Sequence, residues 1–333
     1  MITCYGEALI DLIVSPYSPR SMRTGSQACL GGSVLNFSMA TARQGLATVY
    51  LNPLSHDSFG AQFRQVLLAE GVTLASAQPS ALHTSIAVVQ LDAQGKASYA
   101  FHREAVADRD ISAAQATERL PPGMQVLHTG CLMLVPGDWP KTRTVVQAAL
   151  AQGAVVTVDA NLRTVVCPDL VPYRASVLAA CALAHVVKVS DDDLVDLGLD
   201  AAQVAADPVA AARSLLLQTD AVTKVQPATQ VVALTLGAAG AWLVTQGADV
   251  FVPSAPGLKV ADTVGAGDSF FAALLAALQR QGLLSPARLA GPLPADGLRH
   301  ALRHAVAAAG INVTRVGCDP ATWDETVLAA AGQ

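Results

Sequence analysis

The sequence predicts an α/β protein: a three-layer αβα sandwich around a mainly parallel central sheet, with a small second β-sheet attached. Three observations predict it. Short β-rich runs alternate with longer Ala/Leu-rich amphipathic stretches through most of the 333 residues. The β-rich runs are short and apolar, as strands buried on both faces are. Two irregular excursions break the alternation and carry turn residues of their own.

In order, the chain opens on a strand-like run, Ile2 to Gly6. An irregular piece from Leu12 to Leu30 follows, with Pro16, Pro19 and Gly25. The paired glycines Gly31 and Gly32 then precede a helix-like stretch, Asn36 to Arg43. Thr84 to Leu91, a turn from Asp92 to Gly95 and Lys96 to Phe101 read as a β-hairpin, from their alternating side chains and the glycine in the turn. Val126 to Gly130, Val155 to Val158, Val186 to Val189 and Val231 to Leu236 read as buried strands. Helix-length segments such as Trp139 to Gln152 and Pro208 to Leu217 lie between them. A strongly apolar helix runs from Ser269 to Leu278, and Ala329 to Gln333 reads as a fraying tail. No repeat of fixed period and no low-complexity linker divides the chain. The expectation is one domain over residues 1–333, with a β cover built from about 12–30 and 83–108.

Composition narrows the function. Charged residues are 14% of the chain, against roughly 25% for an average soluble domain. Hydrophobic residues reach 52%, enough for a sizeable core and incompatible with a disordered chain. Mean hydropathy is +0.40, yet no uncharged apolar run approaches the ~20 residues of a spanning helix. The N-terminus has neither a basic flank nor a cleavable apolar segment, so no membrane partner and a cytoplasmic location are expected. Net charge is -5 with no basic block, which excludes a phosphate-backbone track and hence nucleic acid. The six cysteines, Cys4, Cys29, Cys131, Cys167, Cys181 and Cys318, form no C-x-x-C pair, arguing against a zinc knuckle or a disulfide framework. His300 and His304 have metal-ligand spacing but lack an accompanying glutamate, and read as a surface or core-edge pair.

Two motifs carry chemistry. Asp262-Thr-Val-Gly-Ala-Gly-Asp268 stands directly before the apolar helix. Its small residues Gly265, Ala266 and Gly267 expose backbone N–H groups at a helix N-terminus, where the dipole favours an anion. Asp268 there reads either as an N-cap or as a base that takes the proton of a hydroxyl attacking a phosphoryl group. Gly31-Gly32-Ser-Val-Leu-Asn36 lets the chain turn sharply and approach a ligand, with Asn36 offering both donor and acceptor. Asp11, after the first strand, reads by itself as a loop acid or a cap. No G-x-x-x-x-G-K-[ST] occurs, which excludes a P-loop kinase, and no complete G-x-G-x-x-G follows the first strand, against a dinucleotide-binding dehydrogenase.

Together, Gly-Gly-x-x-x-Asn and Asp-Thr-x-Gly-Ala-Gly-Asp resemble the two signatures of the PfkB (ribokinase-like) carbohydrate kinases. Further segments support the resemblance over nearly the whole chain. These are Gly6 to Asp11, His56-Asp-Ser-Phe-Gly60, Thr235-Leu-Gly-Ala-Ala-Gly240 and Asn312 to Gly317. The resemblance implies transfer of the ATP γ-phosphate to a primary sugar hydroxyl, with Mg2+ required and K+ a candidate. It implies Asp268 as general base and Gly265, Ala266 and Gly267 as the anion hole. Asp11, Gly31, Gly32, Asn36, Arg103 and Arg163 become sugar or phosphate contacts. Ser190, Thr235, Gly237, Gly240, Gly265 and Gly267 become ATP contacts. Asp193 is implied at magnesium, through water because aspartate replaces the longer glutamate; its ordinary reading is an acidic first turn that favours the helix dipole. Asp262 and the Val264 carbonyl are implied at the monovalent cation.

The implied substrate is D-fructose. Val187-Lys-Val-Ser-Asp-Asp-Asp-Leu194 and Phe101-His-Arg-Glu-Ala-Val-Ala-Asp108 are similar to the fructokinase branch, and Asp108 suits a neutral polyol. Kinases of the same family acting on 2-keto-3-deoxygluconate, ribose or a nucleoside are the near alternative. A catalytically silent sugar-binding protein is the alternative of another class. The resemblance also implies a homodimer joined through the lid.

Overall fold

The computed structural model describes residues 1–15, 25–91, 97–217 and 229–332. Pro16, Pro19, the turn Asp92 to Gly95 and Lys96 lie outside them. The strands are β1 (Ile2–Cys4), β2 (Leu9–Val14), β3 (Ser26–Gly31), β4 (Thr48–Tyr50), β5 (Thr73–Leu74), β6 (Ser85–Leu91), β7 (Ala97–His102), β8 (Val126–Gly130), β9 (Val155–Asp159), β10 (Val186–Ser190), β11 (Val231–Thr235), β12 (Ala241–Thr245) and β13 (Asp249–Val252). A nine-stranded sheet has the order β13-β12-β11-β10-β9-β8-β1-β4-β5. Every neighbouring pair from β5 to β11 is parallel, and β12 and β13 close one edge antiparallel.

Alternation along the buried strands sorts their side chains into two cores. Val126, Val155, Val186 and Val231 face helices Ser33–Arg43, Ala266–Arg280 and Ala295–Val313. Leu127, Val156, Val187 and Val232 face helices Trp139–Ala151 and Leu170–Leu183. This is the αβα sandwich the sequence predicts, and the helix-covered faces explain why each strand reads as an unbroken apolar run.

The first face turns polar toward the C-terminal ends of its strands. His128 on β8 stacks on Phe37 with ring centroids 3.6 Å apart and shares a 3.1 Å hydrogen bond with Thr157 on β9. Lys188 on β10 reaches Asp159 at the end of β9. Ligands of open parallel sheets bind at this edge.

The two irregular excursions meet. β2 pairs with β3 antiparallel and with β6 parallel, and β6 pairs with β7, giving a four-stranded sheet β3-β2-β6-β7. It begins at Leu9, three residues before the expected boundary, because β2 continues almost directly from β1.

Several element boundaries also differ from expectation. The first long helix starts at Ser33, not Asn36. Gly32, at φ 111°, occupies the cap position, and a Cβ there would stand 2.7 Å from the Glu7 carbonyl oxygen. The apolar helix starts at Ala266, so Asp268 is its third residue and the cap is Gly265, in the left-handed region at φ 74°. Pro208 to Leu217 divides into an α-helix, Pro208–Arg213, and a 3-10 turn, Ser214–Leu217. The C-terminal tail is helical from Trp323 to Ala331, where Thr322 and Glu325 form a capping box. His304 is buried and bonds Gln44 at 2.7 Å while packing on Trp323. Among the described residues no helix is long and apolar enough to cross a membrane.

Candidate active site

Asp268 is where the two motifs meet. The Ser33 hydroxyl donates to one of its carboxylate oxygens at 2.6 Å, and the Asn36 amide donates to the other at 3.0 Å. Ser33 and Asn36 lie on the first turn of one helix and Asp268 on the first turn of another, more than 230 positions away in sequence. Asp268 is 7% exposed. Burial holds its carboxyl above the ordinary carboxylate range, while the hydrogen bonds from Ser33 and Asn36 and the charges of Lys188 and Arg163 pull it back down.

Both glycines of the Gly-Ala-Gly turn stand against a neighbour that a side chain would strike. A Cβ at Gly265 would strike the Cys318 sulfur at 2.2 Å, and one at Gly267 would touch the end of Lys188 at 3.1 Å. The first amides of a helix have no partner within it. The Ala266 N–H turns to the Thr263 carbonyl at 3.3 Å, whereas Ser269 closes the first intrahelical bond, to Gly265. Asp262 secures the preceding loop, accepting from the Val264 N–H at 3.1 Å and the Gly317 N–H at 2.8 Å. Asn312 donates to the Val264 carbonyl at 2.8 Å.

Glu7 supports the other side. Fully buried, it accepts the Ser33 N–H at 3.0 Å through one oxygen, and its other oxygen has no hydrogen-bond partner. Burial pushes its carboxyl up to about 7. The Asn36 carbonyl oxygen is likewise buried without a partner. Orphaned buried polar atoms are costly and uncommon in a folded chain, and these two point to a polar molecule or water beside Asp268.

Asp11 stands on β2 against Gly31, where a Cβ would come within 2.3 Å of its carboxylate. Burial pushes Asp11 up to about 6, and the charge of Arg163 pulls it back. Arg163 is solvent-exposed and acts electrostatically on Asp11 and Asp268 alike. Its guanidinium donates to the Leu162 carbonyl at 3.1 Å.

The remaining predicted residues divide. Ser190 and Thr235 lie opposite each other at the C-terminal ends of β10 and β11. Gly237 (φ 50°) and Gly240 (φ 122°) form the tight turn into β12. Asp193 gives both oxygens to backbone amides, accepting from Leu162 at 2.9 Å and Ser190 at 2.8 Å. Both oxygens are thus engaged within the protein.

Arg103, expected at the sugar, is drawn toward Asp138 instead. It is 7% exposed, stands 3.5 Å from Asp138, and its Nε is unpartnered. It lines a cavity of about 790 Å³ with Phe101, His102 and Asp138, which neither Asp268 nor Asp11 lines. Asp108, expected toward the sugar, is buried and accepts from the Ser85 hydroxyl.

Four residues were given no role by the motifs: Glu7, Ser33, Asp159 and Lys188. Glu7, Ser33 and Lys188 lie within motif segments, but only the fold shows the four converging on Asp268 and the Gly-Ala-Gly turn.

The model of the pfkB family carbohydrate kinases matches residues 1–325. A fructokinase of Rhizobium leguminosarum bv. trifolii is 31% identical over 293 residues, covering 87% of this chain and 83% of that protein. The crystal structure of a Xylella fastidiosa fructokinase with bound ATP aligns at a TM-score of 0.78 and 25% identity, covering 100% of this chain and 98% of that one. A Vibrio cholerae fructokinase in its fructose, ADP and calcium ion bound form aligns at 0.72 and 26%, covering 95% of this chain and 94% of that one. With both signatures joined at Asp268 and the family model spanning nearly its full length, the chain belongs to the PfkB family of carbohydrate kinases.

Proposed function

We propose that this carbohydrate kinase transfers the γ-phosphate of ATP to a primary hydroxyl of D-fructose, with Asp268 as the base. One observation carries the reading: the Asp268 carboxylate lies at the start of the helix that opens on Gly265 to Gly267, and is gripped from the other motif by Ser33 and Asn36. A carboxylate held by two donors is oriented, and its raised proton affinity suits a base that must capture a hydroxyl proton during attack. The N–H groups of Gly265 and Gly267 donate to the phosphoryl oxygens and stabilise their charge, and Ala266 joins them if its bond to Thr263 yields. Asp11, Gly31, Gly32 and Asn36 hold the sugar, with Arg163 at the mouth of the site. Ser190, Thr235, Gly237 and Gly240 line the nucleotide side, along the strand ends.

Magnesium bound with the triphosphate would supply charge neutralisation at the phosphoryl oxygens, and Asp193 would hold it through water. K+ would take the Asp262–Val264 loop, whose carboxylate and carbonyl oxygens are hard donors. The sheet β3-β2-β6-β7 acts as a lid that excludes water from the transfer. A second copy packing on this sheet, where Tyr99 is exposed, would give a homodimer.

The fructose assignment draws on the similar fructokinases and on the Arg103 segment. ADP release measured over D-fructose, ribose, a nucleoside and 2-keto-3-deoxygluconate tests it. D-Fructose should give the highest kcat/KM. A higher value for another acceptor reassigns the substrate, and sugar binding without ADP release from any of them removes the kinase reading.

A further inference from the structure

We propose that Lys188, held in place by Asp159, is the buried cation of the phosphoryl-transfer site and works through the turn that opens at Gly265. The inference deepens the kinase reading and rests on it. Lys188 is 5% exposed on β10, on the sheet face covered by the Ala266–Arg280 helix. Its ammonium donates to both oxygens of Asp159, at 2.9 and 3.0 Å. An ammonium carries three N–H groups, so one is left over.

The pair's position is unusual. A purely structural buried ion pair is commonly replaceable by apolar residues without loss, and on this face Lys188 lies beside Ala233 and two positions from Val186. This pair instead stands at the positive end of a helix dipole, where the amides by themselves disfavour a cation. A Cβ on Gly267 would lie 3.1 Å from both Cε and Nζ of Lys188. Glycine at 267 therefore does more than bare the backbone toward a ligand. It lets the ammonium press against the amide turn from beneath.

Asp159 offsets the repulsion while the site is empty of anion. When phosphoryl charge arrives at the turn, Lys188 and the helix amides act on it together. Burial works against the Lys188 charge, but Asp159, Asp193 and Asp268 outweigh it and keep the ammonium protonated. Lys188 also favours the ionised form of Asp268. It is thus a positioning and electrostatic residue for the transfer rather than a sugar contact.

The experiment separates this role from fold support. Lys188→Met alone strands a buried carboxylate, so the informative protein is the apolar double variant Lys188→Met with Asp159→Leu. Its melting temperature and its kcat and KM with D-fructose and MgATP are compared with wild type. The expected result is a melting temperature near wild type and a kcat lower by on the order of 10²-fold. The sugar KM stays within about threefold. A double variant that folds and keeps kcat within about threefold of wild type overturns the proposal. If the apolar pair does not fold, Lys188→Gln with Asp159→Asn, which keeps the hydrogen bond and removes the charges, takes the same measurements with the same two outcomes. The kinase reading fails separately: wild-type protein that phosphorylates no sugar removes it, and the Lys188 role with it.

Discussion

Replacing Ser33 by alanine is the most selective perturbation of the base. The variant keeps the Ser33 N–H that Glu7 accepts, so the start of the helix is undisturbed. It removes the hydroxyl that donates to Asp268 at 2.6 Å and that accepts the Asn161 amide at 3.2 Å. A hydrogen bond to a charged group contributes about 1.5–3 kcal/mol, and one pKa unit corresponds to about 1.36 kcal/mol. The Asp268 proton affinity should therefore rise by about one to two units. Burial already raises it, and the lost bond was one of the forces holding it down. The assay is kcat/KM for the sugar from acid to alkaline pH, whose acidic limb reports the base in the free enzyme. The limb should shift to higher pH by that amount, with the alkaline plateau close to wild type. A variant slowed equally at every pH, with its limb unmoved, would show that Ser33 only supports the fold and that the reasoning about Asp268 is wrong.

Four other outcomes follow from the same geometry. Asp268→Asn should lower kcat by roughly 10²–10⁴-fold, the usual contribution of a general base, while calorimetry finds sugar and nucleotide affinities little changed. Gly32→Ala places a Cβ 2.7 Å from the Glu7 carbonyl oxygen at a φ of 111°. It should cost about 1–3 kcal/mol in urea unfolding and raise the sugar KM through Asn36 as well. Phe271→Ala empties a fully buried position beside Phe37 and His128, with an expected loss of about 3–5 kcal/mol. Glu7 binds its proton more tightly folded than unfolded, from an ordinary 4.5 up to about 7. Stability should therefore fall as pH rises through that interval, and Glu7→Gln should flatten the dependence in pH-resolved melting curves.

The parallel strands were legible because they are buried on both faces. Val126 to Gly130 matches its predicted limits, and the runs at Val155 and Val186 differ by one residue at the end. The start of the Ser33 helix was not legible. Its cap is a glycine without a side chain, and the Ser33 N–H is met by Glu7, 26 positions away, so no local capping pattern marks it. Arg103 reads as a sugar contact, and its inward pull toward Asp138 was not legible because Asp138 lies on another element.

Lys188 sits in a valine-rich strand, where a lysine signals little until the sheet face it occupies is known. Asp268 was legible as chemistry because it follows the Gly-Ala-Gly turn. The donors that tune it came into view only when two distant helix starts packed together. The motifs identify the reacting groups, and tertiary packing determines their proton affinities.

The most direct measurement is ADP formation from MgATP, with and without D-fructose, in wild-type protein and in Asp268→Asn. The account predicts sugar-dependent ADP formation in the wild type and almost none in the variant, although the variant still binds both substrates. Sugar-dependent turnover in Asp268→Asn at the wild-type rate would contradict it.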